Sequence, residues 1–187
     1  MRRADLPNAI TGLRLAMAPV LPWLLWAGHY RAALVLAVVA GLSDGFDGWL
    51  ARRYGWRSRL GSLLDPVADK AMLGLAVFGL WLAQMLPGWA LGLIVVRDLV
   101  VVAGAAAWWR LRGPFEATPT WLGKTSTFAQ IALVLACLVD LADFAGLQVP
   151  FVLLRQLLVA VAVLTIVSGL DYVVRYGVKS VKSAQSK

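Results

Sequence analysis

From Ala71 to Val96 the chain carries no charged side chain. That is longer than the roughly twenty apolar residues a helix needs to cross a bilayer. Pro87-Gly88 interrupts the stretch, so it reads as the end of one helix and the start of another. Elsewhere the uncharged runs are shorter: Leu15–Tyr30, Ala32–Ser43, Thr125–Val139 and Gln156–Leu170. Taken alone they would suit buried helices of a soluble protein. Composition argues otherwise: 60% of the 187 residues are apolar and 15% are charged, with a mean hydropathy of +0.75. An ordinary soluble domain is about 45–50% apolar, and one of this length cannot hide so much apolar surface. The runs therefore read as spanning helices that carry ionisable residues inside them. Such residues cost about 2.5–3.5 kcal/mol each on insertion scales, so they mark function.

Spans of about twenty residues between turn signals predict an all-α, polytopic membrane protein with six transmembrane helices in a bundle. They fall near Pro7–Gly28, Arg31–Tyr54, Gly61–Leu86, Gly88–Arg112, Thr120–Asp143 and Pro150–Tyr176. No repeat or soluble-domain linker divides residues 1–187, which read as one domain. Met1-Arg2-Arg3 ahead of an apolar segment resembles a signal peptide, but Arg14, Pro19 and Pro22 interrupt that segment. It reads as a retained first helix. The lone cysteine, Cys137, forms no internal disulfide and reads as apolar filler.

Basic residues give an orientation. Arg2 and Arg3 precede the first helix, and Arg52, Arg53, Arg57 and Arg59 follow the second. Arg110, Arg112 and Lys124 flank the fourth connection, and Arg175, Lys179, Lys182 and Lys187 line the tail. The opposite connections hold Arg31, with Arg155 just inside the sixth helix. The positive-inside rule then puts both termini and the even-numbered connections in the cytoplasm. A net charge of +8 reads as orientation and attraction to anionic lipid, with no nucleic-acid partner.

The chemistry concentrates in Ser43–Lys70. Asp44 and Asp47 lie three residues apart, so a helix puts both on one face, which Gly48, Ala51 and Arg52 continue. Gly61, Asp65 and Asp69 are spaced by four, again one stripe. Antiparallel pairing of the two helices brings four carboxylates together, an arrangement that repels itself without cations. Hard oxygen ligands favour Mg²⁺ or Mn²⁺, ions that bridge substrate phosphates. Two other readings compete: exposed loop acids, and a proton or cation pathway in a small ion transporter or channel. Neither accounts for Gly48, Ala51 and Gly61, which let a planar group or a phosphate approach the backbone.

The pattern Asp44-x2-Asp47-Gly48-x2-Ala51-Arg52-x8-Gly61-x3-Asp65-x3-Asp69 resembles the signature of the CDP-alcohol phosphatidyltransferases, matching at all eight specified residues. The resemblance implies metal ligation by Asp44, Asp47, Asp65 and Asp69, with Asp69 also the general base and two ions the expected number. It implies that Asp44, Gly48, Ala51, Arg52 and Gly61 seat the cytidine diphosphate. It also implies a homodimer whose active site opens to the cytoplasmic side, in a bacterial inner membrane. The reaction is attack of an acceptor hydroxyl on the lipid-linked phosphate of CDP-diacylglycerol, releasing CMP. Arg97, Lys124 and, more weakly, Arg14 and Arg110 are the candidate acceptor-binding cations, headgroup contact being the plainer reading of the last two. Arg97-Asp98-Leu99-Val100 resembles the CMP-forming cardiolipin synthases, favouring phosphatidylglycerol as acceptor. Glycerol 3-phosphate, giving phosphatidylglycerophosphate, is the alternative.

Overall fold

A computed structural model describes residues 12–54, 59–112, 120–143 and 146–184. Side-chain surroundings are described at 12–43, 45, 53, 68–104, 120–143 and 146–174. Every regular element among them is helical. Residues 12–17 form a helical segment that turns at Ala18-Pro19 into α1 (Val20–Trp26). Then follow α2 (Tyr30–Tyr54), α3 (Arg59–Leu82), α4 (Gly88–Arg112), α5 (Trp121–Ala142) and α6 (Phe151–Ala184). The all-helical class is as expected. By length and composition, Trp121–Ala142 and Phe151–Val174 can each cross a membrane, and Gly12–Trp26 and Tyr30–Ser43 are shorter apolar helices.

The helix ends follow backbone chemistry. α1 stops at Gly28, whose φ of 79° is the left-handed position that glycine tolerates. His29 N–H then donates to the Leu24 carbonyl (2.8 Å) and Gly28 N–H to that of Leu25 (3.2 Å), a Schellman closure. α3 ends four residues earlier than the sequence suggests. Gln84 takes the left-handed conformation (φ 61°), and Met85 N–H and Gln84 N–H close on the Leu80 and Trp81 carbonyls (2.9 and 3.0 Å). The first helix is not continuous, because Pro19 and Pro22 lack the N–H donors that would carry the ladder through. α6 runs further than expected, through the basic tail to Ala184. Its 34 residues extend for about 51 Å, well beyond a bilayer's apolar core.

The chain forms two compact units. The first is Met1–Pro87 with Val134–Val149, the second Gly88–Leu133 with Pro150–Lys187. In the first, α1 packs against both α2 and α3, burying Leu21, Leu25, Val77 and Leu80. Gly79 sets the closeness of that crossing. A Cβ there would lie 2.7 Å from both Pro22 Cα and Leu25 Cδ1. Arg31, at the start of α2, donates to the carbonyls of Ala142 (3.2 Å) and Asp143 (3.5 Å), covering the C-terminal end of α5. This ties the α1–α2 connection to the α5–α6 connection within the first unit. Cys137 is buried in the same unit, as expected of filler.

In the second unit α4 packs along α6, with the Tyr172 ring seated at Gly104. The large apolar side chains Phe128, Phe151, Val152, Val159 and Val163 are exposed, while Ser126, Gln130, Thr165 and Ser168 are buried. A water-soluble unit would put these groups the other way round.

Replacing Gly79 by valine should destabilise the first unit by about 1–3 kcal/mol through overpacking against backbone, read as a lower thermal midpoint in detergent. Gly92→Ala, whose new Cβ meets nothing within 4 Å, should be neutral or slightly stabilising. A Gly79→Val protein with an unchanged midpoint would mean that α1 and α3 do not cross this closely.

Candidate active site

All four motif aspartates fall on helix. Asp44 and Asp47 lie in α2, Asp65 and Asp69 in α3, so each pair keeps the helical spacing that sets it on one stripe, and both helices belong to one compact unit. The surroundings of Asp44, Asp47, Gly48, Ala51, Arg52, Gly61, Asp65 and Arg110 lie outside the described residues. Asp69 lies inside them. Its Oδ1 accepts a hydrogen bond and ion pair from Arg14 Nη1 at 3.1 Å. The two side chains differ in setting: Arg14's is 4% exposed and Asp69's 51%.

The local sequence explains that asymmetry. Arg14 sits in the helical segment 12–17 among Leu13, Leu15, Ala16 and Met17. Its backbone carbonyl is used by Ala18 N–H (2.9 Å), so the side chain is carried on regular helix just before the proline turn. A buried guanidinium needs a counter-charge, and Asp69, 55 residues away in sequence, provides one. Sequence reasoning left Arg14 as a headgroup contact or a minor acceptor cation and missed this partner. The available signal was a lone cation inside an apolar helix of a chain whose acids cluster on a later helix.

No three acidic, histidine or cysteine side chains gather among the described residues. Of the four proposed ligands only Asp69 is among those with described side chains. By chemistry the donor set fits a hard divalent cation: all four groups are carboxylates on two helices of one unit.

The second unit holds the two described acceptor candidates. Arg97, on α4, donates from Nη1 to Asp98 Oδ1 (2.7 Å) and from Nε to Ser168 Oγ on α6 (3.1 Å). Its Nη2 lies 3.5 Å from where a Cβ would stand at Gly123, in the first turn of α5. Lys124 follows directly. It is exposed, and its Nζ lies over the Trp121 ring, 5.5 Å from the centroid. Thr120 closes that helix start, accepting from Gly123 N–H through Oγ1 at 3.1 Å. Arg97 and the Gly123-Lys124 turn are thus brought together, and Arg97 also pairs with its neighbouring aspartate.

Two further titratable groups make structural contacts. Asp140 Oδ1 accepts from Val149 N–H (3.0 Å), bracing the α5–α6 connection. His29 packs its ring against Trp23 (centroids 6.3 Å apart).

Comparison with known proteins matches residues 4–173 to the CDP-alcohol phosphatidyltransferase family. The chain is 38% identical to a probable phosphatidylglycerophosphate synthase of Mycobacterium tuberculosis, over 93% of this chain and 82% of that protein. It is 31% identical to a CDP-diacylglycerol–glycerol-3-phosphate 3-phosphatidyltransferase of Bacillus subtilis, over 90% and 93%. It is 33% identical to the human CMP-forming cardiolipin synthase, over 77% of this chain and 54% of that protein. With a match that runs through the aspartate helices and on through α4 and α5 into α6, the chain belongs to the CDP-alcohol phosphatidyltransferase family and is a transferase of phospholipid biosynthesis.

Proposed function

We propose that the protein is an integral membrane enzyme, one domain over residues 1–187, that transfers the phosphatidyl group of CDP-diacylglycerol to a glycerol hydroxyl and releases CMP. The observation that carries the reading is the family's eight-residue motif falling on α2 and α3, with its last carboxylate held by Arg14. Six membrane crossings, a homodimer, cytoplasmic termini and a bacterial inner membrane belong to the same proposal.

The family generally depends on a divalent cation. Asp44, Asp47, Asp65 and Asp69 are the residues that would hold it, and when bound it neutralises charge on the pyrophosphate. Gly48, Ala51, Arg52 and Gly61, with Asp44, seat the nucleotide. Asp69 takes the proton of the acceptor hydroxyl as the new O–P bond forms and the bond to CMP breaks. Arg14 keeps the Asp69 carboxylate in one orientation and balances one of the four acidic charges.

For the acceptor, glycerol 3-phosphate fits best. The Mycobacterium tuberculosis and Bacillus subtilis relatives, named for phosphatidylglycerophosphate synthesis and for transfer to glycerol 3-phosphate, align along 93% and 90% of the chain, the human cardiolipin synthase along 77%. Arg97, whose Nη2 faces the Gly123 turn, and Lys124, the next residue of that turn, suit a phosphate monoester, which carries more charge than a phosphodiester. Arg110 is a third cation of the same proposal. The Arg97-Asp98-Leu99-Val100 segment keeps phosphatidylglycerol, giving cardiolipin, as the second reading.

Purified protein given CDP-diacylglycerol, Mg²⁺ and glycerol 3-phosphate should yield phosphatidylglycerophosphate and CMP, and should stop when metal is chelated. Cardiolipin from phosphatidylglycerol as the faster product would reverse the choice of acceptor. CMP release that is undiminished in chelator, with no bound metal, would remove the metal from the mechanism.

Asp69→Asn should lower single-turnover rate by about 10²–10⁴-fold while CDP-diacylglycerol affinity falls much less. If Arg14 acts by orienting Asp69, Arg14→Gln should slow the same step, and the double variant should be no slower than Asp69→Asn alone. Losses that multiply would show that Arg14 works through some other group.

Orientation is open to cysteine labelling in a Cys137→Ala background. Labels at Gly55 and Lys179 should react only from the cytoplasmic side and one at the exposed His29 only from outside; the reverse pattern inverts the topology.

A further inference from the structure

Arg97 lies nine residues into α4, about 14 Å along the helix from Gly88. Its side chain is 9% exposed. A guanidinium is a rigid plane, so fixing two of its N–H edges fixes where the third points. Asp98 takes Nη1, but it is the next residue on the same helix and moves with it. The contact from a different helix is Ser168 Oγ, which takes Nε at 3.1 Å. Next to it, Gly169 faces the arginine stem: a Cβ there would stand 3.7 Å from Arg97 Cγ, an ordinary van der Waals distance, so α6 packs directly along the stem. Ser168-Gly169 is thus a seat, a hydroxyl for the guanidinium beside a low wall for its stem. Nη2 makes no hydrogen bond among the described residues, and faces the Gly123 turn.

Ser168 has polar company. One turn before it on α6, Thr165 Oγ1 accepts from Gln130 Nε2 of α5 at 3.5 Å. Ser126, fully buried one turn before Gln130, has no hydrogen-bond partner among the described residues. This seam lies deep in helices whose outer faces are apolar. A serine that only filled space there would serve as well as alanine, whereas one that orients a cation would not.

We propose that Ser168 is a positioning residue for acceptor recognition, holding the Arg97 guanidinium so that its Nη2 edge is presented at the first turn of α5 beside Lys124. The proposal rests on the reading of Arg97 as an acceptor-phosphate cation. It adds that the angle of that cation is set from α6.

The test is steady-state kinetics of the full-length protein in mixed micelles, varying each substrate in turn. The acceptor is whichever of glycerol 3-phosphate and phosphatidylglycerol turns over. Ser168→Ala should raise the acceptor KM about tenfold, leaving the CDP-diacylglycerol KM and the thermal midpoint close to wild type. Ser168→Thr, which keeps the hydroxyl, should recover most of the loss. Should the alanine protein fail to fold, Ser168→Cys, of similar volume with a weaker acceptor, should show the same selective rise. Arg97→Gln separates the two layers. If it raises the acceptor KM and Ser168→Ala does not, Ser168 has no positioning role and the reading of Arg97 stands. If Arg97→Gln leaves the acceptor KM unchanged, Arg97 is not the acceptor cation and both fall. A Ser168→Ala protein that loses stability or turnover with both KM values unchanged makes the serine structural only, and overturns the proposal.

Discussion

A guanidinium buried in apolar helices has to be met by a negative charge, and the Arg14–Asp69 pair is where this chain meets that requirement. As a source of stability such a pair is weak, since desolvating the guanidinium offsets much of the attraction. Losing Asp69, however, leaves the Arg14 charge buried without its counter-ion, a cost that reaches about 3–5 kcal/mol where both partners are buried. The pair therefore works as a constraint. It holds the segment ahead of α1 to one point on α3, while Gly79 lets α1 lie directly on the same helix two to three turns further on. Asp69 is consequently placed by packing and by charge together. A carboxylate whose neighbours in the motif are also carboxylates benefits from both, because repulsion alone would drive them apart.

The second unit repeats the logic with the same signs. There the ion buried deep in the helix is Arg97, and the groups that meet it are Asp98 and Ser168. Around it Ser126, Gln130 and Thr165 are buried, whereas Phe128 on the other side of α5 is 74% exposed and Phe151 of α6 is 77% exposed. Polar inside and apolar outside is the arrangement a lipid solvent selects, since a polar group in hydrocarbon keeps its cost until another polar group meets it. The position of a polar residue in such helices is thus informative in a way that it is not in a soluble protein.

This explains what could be read from the sequence and what could not. Helix number and class followed from apolar runs and turn residues, and Gly28 marked the end of α1 because its left-handed turn favours glycine. The end of α3 was missed because Gln84 adopts the same conformation without the glycine that would announce it. The break at Ala18-Pro19 was present in the prolines, but they served only to argue against a signal peptide. The acidic motif was legible because its spacing is local to two helices. Arg14 and Ser168 were not, because each acts through a partner far away in sequence, 55 and 71 residues respectively. Serines at an apolar helix's interior also look like ordinary small residues. Pairs spaced three or four apart, Thr165 with Ser168 and Ser126 with Gln130, were the trace they left.

The two acceptor cations differ in kind, and the difference bears on how a phosphate would be received. Arg97 is buried, its plane fixed by two partners, and Asp98 already balances its charge. On the proposed reading it contributes direction more than net charge. Lys124 is the reverse: exposed, and held only over the Trp121 ring among the described residues. An exposed cation–π contact is worth about 0.5–1 kcal/mol, less than a charge-assisted hydrogen bond to phosphate at about 1.5–3 kcal/mol. Lys124 can therefore leave the ring for an incoming phosphate at small cost, adding the net positive charge that the Arg97–Asp98 pair lacks. A fixed fork beside a mobile point charge recognises the shape of a phosphate with one group and its charge with the other. A phosphate monoester gains more from the second group than a diester does, which is the physical content of preferring glycerol 3-phosphate.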